Sequence, residues 1–213
     1  MTRPSPTPQP ATLAANENHA CTRPSAEEAR EAVRTLIRWA GDDPSRGGLL
    51  DTPQRVIDAY SEFYSGYDID PDSILAKTFE DVAHYDEVVL LKNLSFESHC
   101  EHHMVPIIGR AHIAYMPDRN VVGISKIARL LDVFAKRLQT QEIMTAQIAD
   151  TIERVLAPKG VAVIIDANHE CMSTRGVHKS NSTTVTTQMR GLYKTDATAR
   201  AEVMRLITSS DIG

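Results

Sequence analysis

The sequence predicts an α+β fold: an antiparallel ββααββ sheet with helices on one face, preceded by N-terminal helices. Three observations predict it. Val88, Leu90, Leu94 and Phe96 alternate with other residues, and Ile107 to Met116 forms a second strand candidate. Two stretches of helical period follow. A short apolar run, Val161 to Asp166, and a β-branched run, Thr183 to Met189, then restore strand character.

Residues 1–24 hold five prolines and few large apolar groups. Such a segment cannot bury enough surface to offset its ordering entropy and reads as a disordered arm. One domain is expected from 25 to 213, with helices in 25–80, the sheet core in 86–193 and a last helix in 197–207. Ser25 is the predicted N-cap of the first helix, with Glu28 three residues later completing a capping box. Ala29, Val33, Leu36, Ile37 and Ala40 make its apolar stripe, and Gly41 stops it. Thr52-Pro53 opens a second helix through Tyr64. In the core, Pro117 to Asn120 is a turn. Ile124, Ile127, Ala128, Leu131, Phe134, Ala135 and Leu138 fall on one helical face. Ile143, Met144, Ile148, Ile152, Val155 and Leu156 do the same until Pro158-Lys159-Gly160. One sheet face then lacks cover, and association with further copies of the chain is the expected remedy.

The 213 residues are 42% hydrophobic and 24% charged, as in ordinary globular proteins, with a formal net charge of -5. That balance argues against nucleic acid or an anionic membrane as partner. No apolar run approaches the ~20 residues of a membrane helix. The N-terminus shows no apolar core of a secretory signal, so the cytoplasm is the expected compartment. Three cysteines, Cys21, Cys100 and Cys171, are too few for a disulfide framework and point to free or metal-bound thiols. Cys21, in the arm, is given no role.

Chemistry concentrates in His99-Cys100-Glu101-His102-His103. Cys100 and His103 are spaced to chelate one ion from a tight turn, and thiolate plus imidazole suits Zn²⁺. Cys171, in His169-Glu170-Cys171, supplies a third ligand if both strand ends meet at one rim. Alone, Cys171 would read as a small core hydrophobe. Spacing points to a metal and leaves a catalytic and a structural site both open. His102 and His169 each neighbour a ligand, and each reads as an acid–base group or as an ordinary polar histidine. His84, His112 and His178 stay with the ordinary reading. Ser125, Lys126 and Arg129 open the helix after Gly123, where cations oppose the helix dipole unless a phosphate binds. Arg175 and Arg55 could join that pocket or be solvated surface cations. Glu142 is favourable near a helix start for dipole reasons alone.

Four segments together resemble the GTP cyclohydrolase I family. They are Ser98 to His103, Gly123 to Arg129, Gln139 to Glu142 and His169 to Gly176, within a likeness from about Ser25 to Ile207. The resemblance implies conversion of GTP and water to formate and 7,8-dihydroneopterin triphosphate, the entry step to folate or other pterins. It implies the tunnelling fold, in which sheets of several subunits close into a barrel, and a homo-oligomer, typically a decamer. Carried over by position, Cys100, His103 and Cys171 are zinc ligands. His102 matches the histidine that protonates N7, and His169 one that assists proton transfer. Glu142, with Gln141 beside it, matches the carboxylate that anchors the guanine edge. Ser125, Lys126, Arg129, Arg175 and Arg55 match ribose and triphosphate contacts.

Two positions depart from the family pattern. Asp58 stands where some members carry a lysine, and Ile143 where an arginine is common. Two other readings remain: a related tunnelling-fold enzyme of pterin or deazapurine chemistry, and a zinc-stabilised binding module without catalysis. No dinucleotide motif favours the first.

Overall fold

The structure, a computed structural model, describes residues 22–79, 85 and 87–209. Most of the predicted arm, with Cys21, lies outside the described residues, as do His84 and Asp86. The chain divides into two compact units, Met1–Ile57 and Asp58–Gly213.

The first unit contains α1 (Ala26–Trp39), which begins as its capping box dictates. Ser25 Oγ accepts from Glu28 N at 3.2 Å, and Glu28 Oε2 accepts from Ser25 N at 2.8 Å. Glu27 and Glu31 pair with Arg30, Arg34 and Arg38 along the helix. The apolar stripe is only partly covered: Ala29, Val33 and Ile37 are half-buried, no residue of α1 is fully buried, and Leu36 and Trp39 are 62% and 89% exposed. Helix α2 (Thr52–Phe63) carries Pro53 in its first turn and continues into the second unit.

The second unit runs through a 3₁₀ turn (Ser65–Asp68), α3 (Pro71–Leu75) and β1 (Thr78–Phe79) to the long strands β2 (Val89–Cys100) and β3 (Pro106–Met116). Then follow β4 (Val121–Val122), α4 (Ile124–Ala135), β5 (Leu138–Gln139) and α5 (Gln141–Leu156). Strand β6 (Gly160–His169), α6 (Glu170–Ser173), β7 (Thr184–Gly191), α7 (Leu192–Thr195) and α8 (Ala197–Thr208) complete it. The main sheet has the order β5-β2-β3-β6-β7 and is antiparallel except that β5 runs parallel to β2. Leu138, expected on the face of the preceding helix, is in β5 instead. Ile124, expected on that same face, is 66% exposed.

Period-two alternation sorts the strands between two apolar clusters. Phe96, Ala111, Ile113, Val163 and Ile165 face α4 and α5, where Ile127, Leu131, Phe134, Met144, Ile148 and Ile152 meet them. Each fully buried Val, Leu, Ile, Phe or Met among them contributes about 1.5–3 kcal/mol of transfer free energy. Ala114, Ala162 and Ile164 point the other way, against Tyr193, Val203 and Ile207. The chain's own α7 and α8 thus close part of the face expected to await a partner. Farther along that face Ile108 and Val185 stay 47% and 58% exposed.

Gly109, opposite Ala167 in the β3–β6 ladder, lets the two central strands close up. A Cβ there would collide with the backbone oxygen of Asp166 and the side chain of Ala167. Gly109→Ala is expected to lower unfolding free energy by about 1–3 kcal/mol. The shift should show in the denaturation midpoint at fixed protein concentration.

Candidate active site

Both halves of the predicted metal cluster sit at one rim of the sheet. The β2–β3 register pairs His99 with Pro106, and the β3–β6 register pairs Ile107 with His169. Strand β3 therefore places the end of β2 beside the end of β6. Cys100 closes β2, and its N–H donates to Val105 O at 2.9 Å while its carbonyl accepts from Met104 N at 2.8 Å. Glu101 N donates to Gln139 O at 3.0 Å, tying the turn to β5. Met104 takes φ of 55°, the left-handed conformation that lets so short a turn close. On the other side, His169 precedes the one-turn helix α6, which holds Cys171.

The ligand atoms of Cys100, His103 and Cys171 all lie within 4.8 Å of one another. Cys100 Sγ is 3.7 Å from His103 Nδ1. Sulfur and nitrogen ligands on one tetrahedral zinc, at ~2.3 and ~2.0 Å, would be about 3.5 Å apart. Donor set and spacing therefore fit a metal ion, with Nδ1 as the imidazole ligand. Burial and the neighbouring Cys100 sulfur push the Cys171 thiol pKa up, a penalty that a cation between the sulfurs would reverse. Cys100 is buried and Cys171 half-buried.

Around this cluster, Arg175 Nη1 lies 2.9 Å from His103 Nε2. His169 Nε2 lies 2.7 Å from Gln141 Oε1, at the first residue of α5. Burial pushes the His169 imidazole pKa down, and the nearby Glu142 charge opposes that. Glu142 itself is exposed in the first turn of α5. His102 is also exposed, with Nε2 3.7 Å from Glu101 Oε1 and its ring 6.3 Å from that of His103. Ser125, Lys126 and Arg129 share the first turns of α4, whose N-cap, Gly123, offers no side-chain cap. Arg129 also lines a cavity of about 150 Å³ with Gly66, Asp132 and Lys136. Arg55 pairs with Asp51 at 3.2 Å.

Several neighbours escaped the sequence reading. Thr145 and Thr186 hydrogen-bond around Gln141, and their only sequence signal is β-branched character. His99, part of the predicted cluster but given no role of its own there, is buried and stacks on Phe63 with ring centroids 4.6 Å apart, and burial pushes its pKa down. Its Nδ1 and the Ser98 hydroxyl have no hydrogen-bond partner among the described residues.

Fold and site together define a mixed α+β enzyme whose sheet rim can hold a metal beside histidines able to carry protons. Residues 29–208 match the model of the GTP cyclohydrolase I family. The GTP cyclohydrolase 1 of Maricaulis maris (strain MCS10) is 58% identical over 201 residues, covering 94% of this chain and 97% of that one. That of Hyphomonas neptunium (strain ATCC 15444) is 60% identical over 184 residues, 86% and 89% of the two chains. Among solved structures, the archaeosine synthase QueF-Like in the apo form is 16% identical at a TM-score of 0.41, over 49% of this chain and 93% of that one. The chain belongs to the GTP cyclohydrolase I family.

Proposed function

We propose that this enzyme converts GTP and water to formate and 7,8-dihydroneopterin triphosphate with a zinc ion held by Cys100, His103 and Cys171. The observation that carries the reading is the convergence of two thiols and an imidazole at one sheet rim, with His169 two residues from a ligand. The names of the relatives support the substrate. When bound, zinc supplies a Lewis acid and lowers the pKa of water toward ~7. His102 protonates N7 of the guanine as the five-membered ring opens, and His169 carries protons at the reacting carbon. Glu142, a negative acceptor at the start of α5, receives the ring N–H and amino group of guanine and rejects adenine, which lacks that pair.

The triphosphate falls to Ser125, Lys126, Arg129 and Arg175. The uncapped first turn of α4 leaves N–H groups and the positive dipole end for an anion. With Nδ1 of His103 committed to a metal, the ring proton sits on Nε2 and Arg175 loses its acceptor, which frees the guanidinium for phosphate. Such local cations answer how a chain of net charge -5 binds a polyanion. A homo-oligomer, a decamer by the family resemblance, would cover Leu36, Trp39, Ile108 and Val185. No described helix is long and apolar enough to cross a membrane.

Incubation with GTP followed by oxidation should yield the fluorescence of an oxidised pterin. Chelator treatment should remove that activity and zinc restore it. A zinc-stabilised binding module would produce no fluorescence under either condition.

A further inference from the structure

Gln141 is fully buried, yet every polar atom of its side chain is engaged. Its Nε2 lies 3.0 Å from Ile165 O, 2.8 Å from Thr184 O and 3.1 Å from Thr186 Oγ1. Its Oε1 lies 2.7 Å from His169 Nε2. Backbone carbonyls only accept hydrogen bonds, so the group facing Ile165 and Thr184 has to be the amide NH₂. Exchanging the two ends of the amide would set an oxygen against two carbonyl oxygens in a buried site.

The surrounding hydroxyls agree with that orientation. Thr145 Oγ1 donates to Gln141 O at 2.6 Å, so its single proton is used. Thr186 Oγ1, 2.7 Å from Thr145 Oγ1, must then donate to it, which leaves Thr186 able to accept from the Gln141 amide. The two amide protons are shared among three acceptors, while the hydroxyl protons of Thr145 and Thr186 each have one direction. The amide oxygen is left facing His169, and it too can only accept.

We infer that Gln141 is a positioning residue that holds His169 as the Nε2–H tautomer and leaves Nδ1 as its proton acceptor. A neutral imidazole has one N–H, and the Gln141 oxygen claims it for Nε2. The anchoring is stiff because three of the four contacts reach the backbone or a threonine of β6 and β7, the strands beside the rim. Gln141 thus acts through His169, and the inference rests on reading His169 as a proton carrier in the GTP reaction. It also separates Gln141 from Glu142: the first turns inward to the histidine, while the second is exposed.

The test is ¹⁵N NMR of the zinc-loaded enzyme labelled at histidine, with the His169 signals assigned by their loss in His169→Asn. In the wild type, Nε2 should carry the proton and Nδ1 should not. Gln141→Met, checked for zinc content and solution mass, should show both tautomers. Its kcat should fall roughly 10- to 100-fold, as for other lost outer partners of an active-site histidine. KM for GTP should stay within about twofold, because the oxygen is already bonded to His169 and the side chain is fully buried. An Nδ1–H tautomer in the wild type overturns the assignment, even if Gln141→Met does not fold. A single unchanged tautomer in Gln141→Met, or an unchanged kcat, overturns the positioning role. Undiminished turnover in His169→Asn sinks the catalytic reading of His169, whereas the wild-type spectrum judges the hydrogen bond by itself.

Discussion

Cys171→Ser is expected to strip the metal and abolish turnover while leaving the sheet folded. Cys171 is the better probe of the two sulfurs. Cys100 is buried at the end of β2, where a serine would bring a packing and desolvation cost of its own. Cys171 is half-buried on a single helical turn, so the exchange of sulfur for oxygen disturbs little else. A serine hydroxyl stays protonated near neutrality and is a poor ligand for a borderline-soft ion. The site is left with one thiolate and one imidazole, and metal affinity should drop by more than the ~100-fold typical of lost outer contacts. Metal content per chain after gel filtration, measured beside GTP turnover, decides the matter. Full zinc stoichiometry in the variant would remove Cys171 from the ligand set.

His102→Ala is expected to keep both metal and fold yet slow the opening of the five-membered ring by roughly two to four orders of magnitude. The His102 side chain is 68% exposed, so its loss removes almost no packing and stability should move by less than about 0.5 kcal/mol. The same exposure leaves the ring free to meet a substrate. Adjacent His103 turns its Nδ1 to Cys100, and the two rings stand at 65° to each other. They therefore need not compete for one ion. A single-turnover assay that follows loss of the guanine absorbance isolates the ring-opening step. An unaltered rate there would make His102 an ordinary surface histidine.

The sequence made local features legible. The capping box at Ser25 involves groups three residues apart, and the helical stripe of α5 repeats over one continuous segment. The cysteine and histidine spacing was legible for the same reason, since Cys100 and His103 share one turn. What stayed hidden depends on distant partners. Strand β5 is two residues long and exists because the end of β2 pairs with it, so no period could announce it. The exposed Leu36 and Trp39 show the same limit from the other side: periodicity marks an apolar face without naming what covers it. Gln141 is the sharpest case. Its partners lie 24 to 45 residues away, so no local pattern could announce that they converge on its side chain.

The central place of β3 has a consequence for assembly. His103 and Arg175 are 72 residues apart, and the segments that hold them meet because both neighbouring strands are zipped to β3 in register. On the proposed ligand set, a chain whose β6 has not yet paired would offer only Cys100 and His103 of the three ligands. Metal uptake would thus follow completion of the sheet. An ion taken up only by the completed form stabilises it by mass action and gives misregistered intermediates no such help.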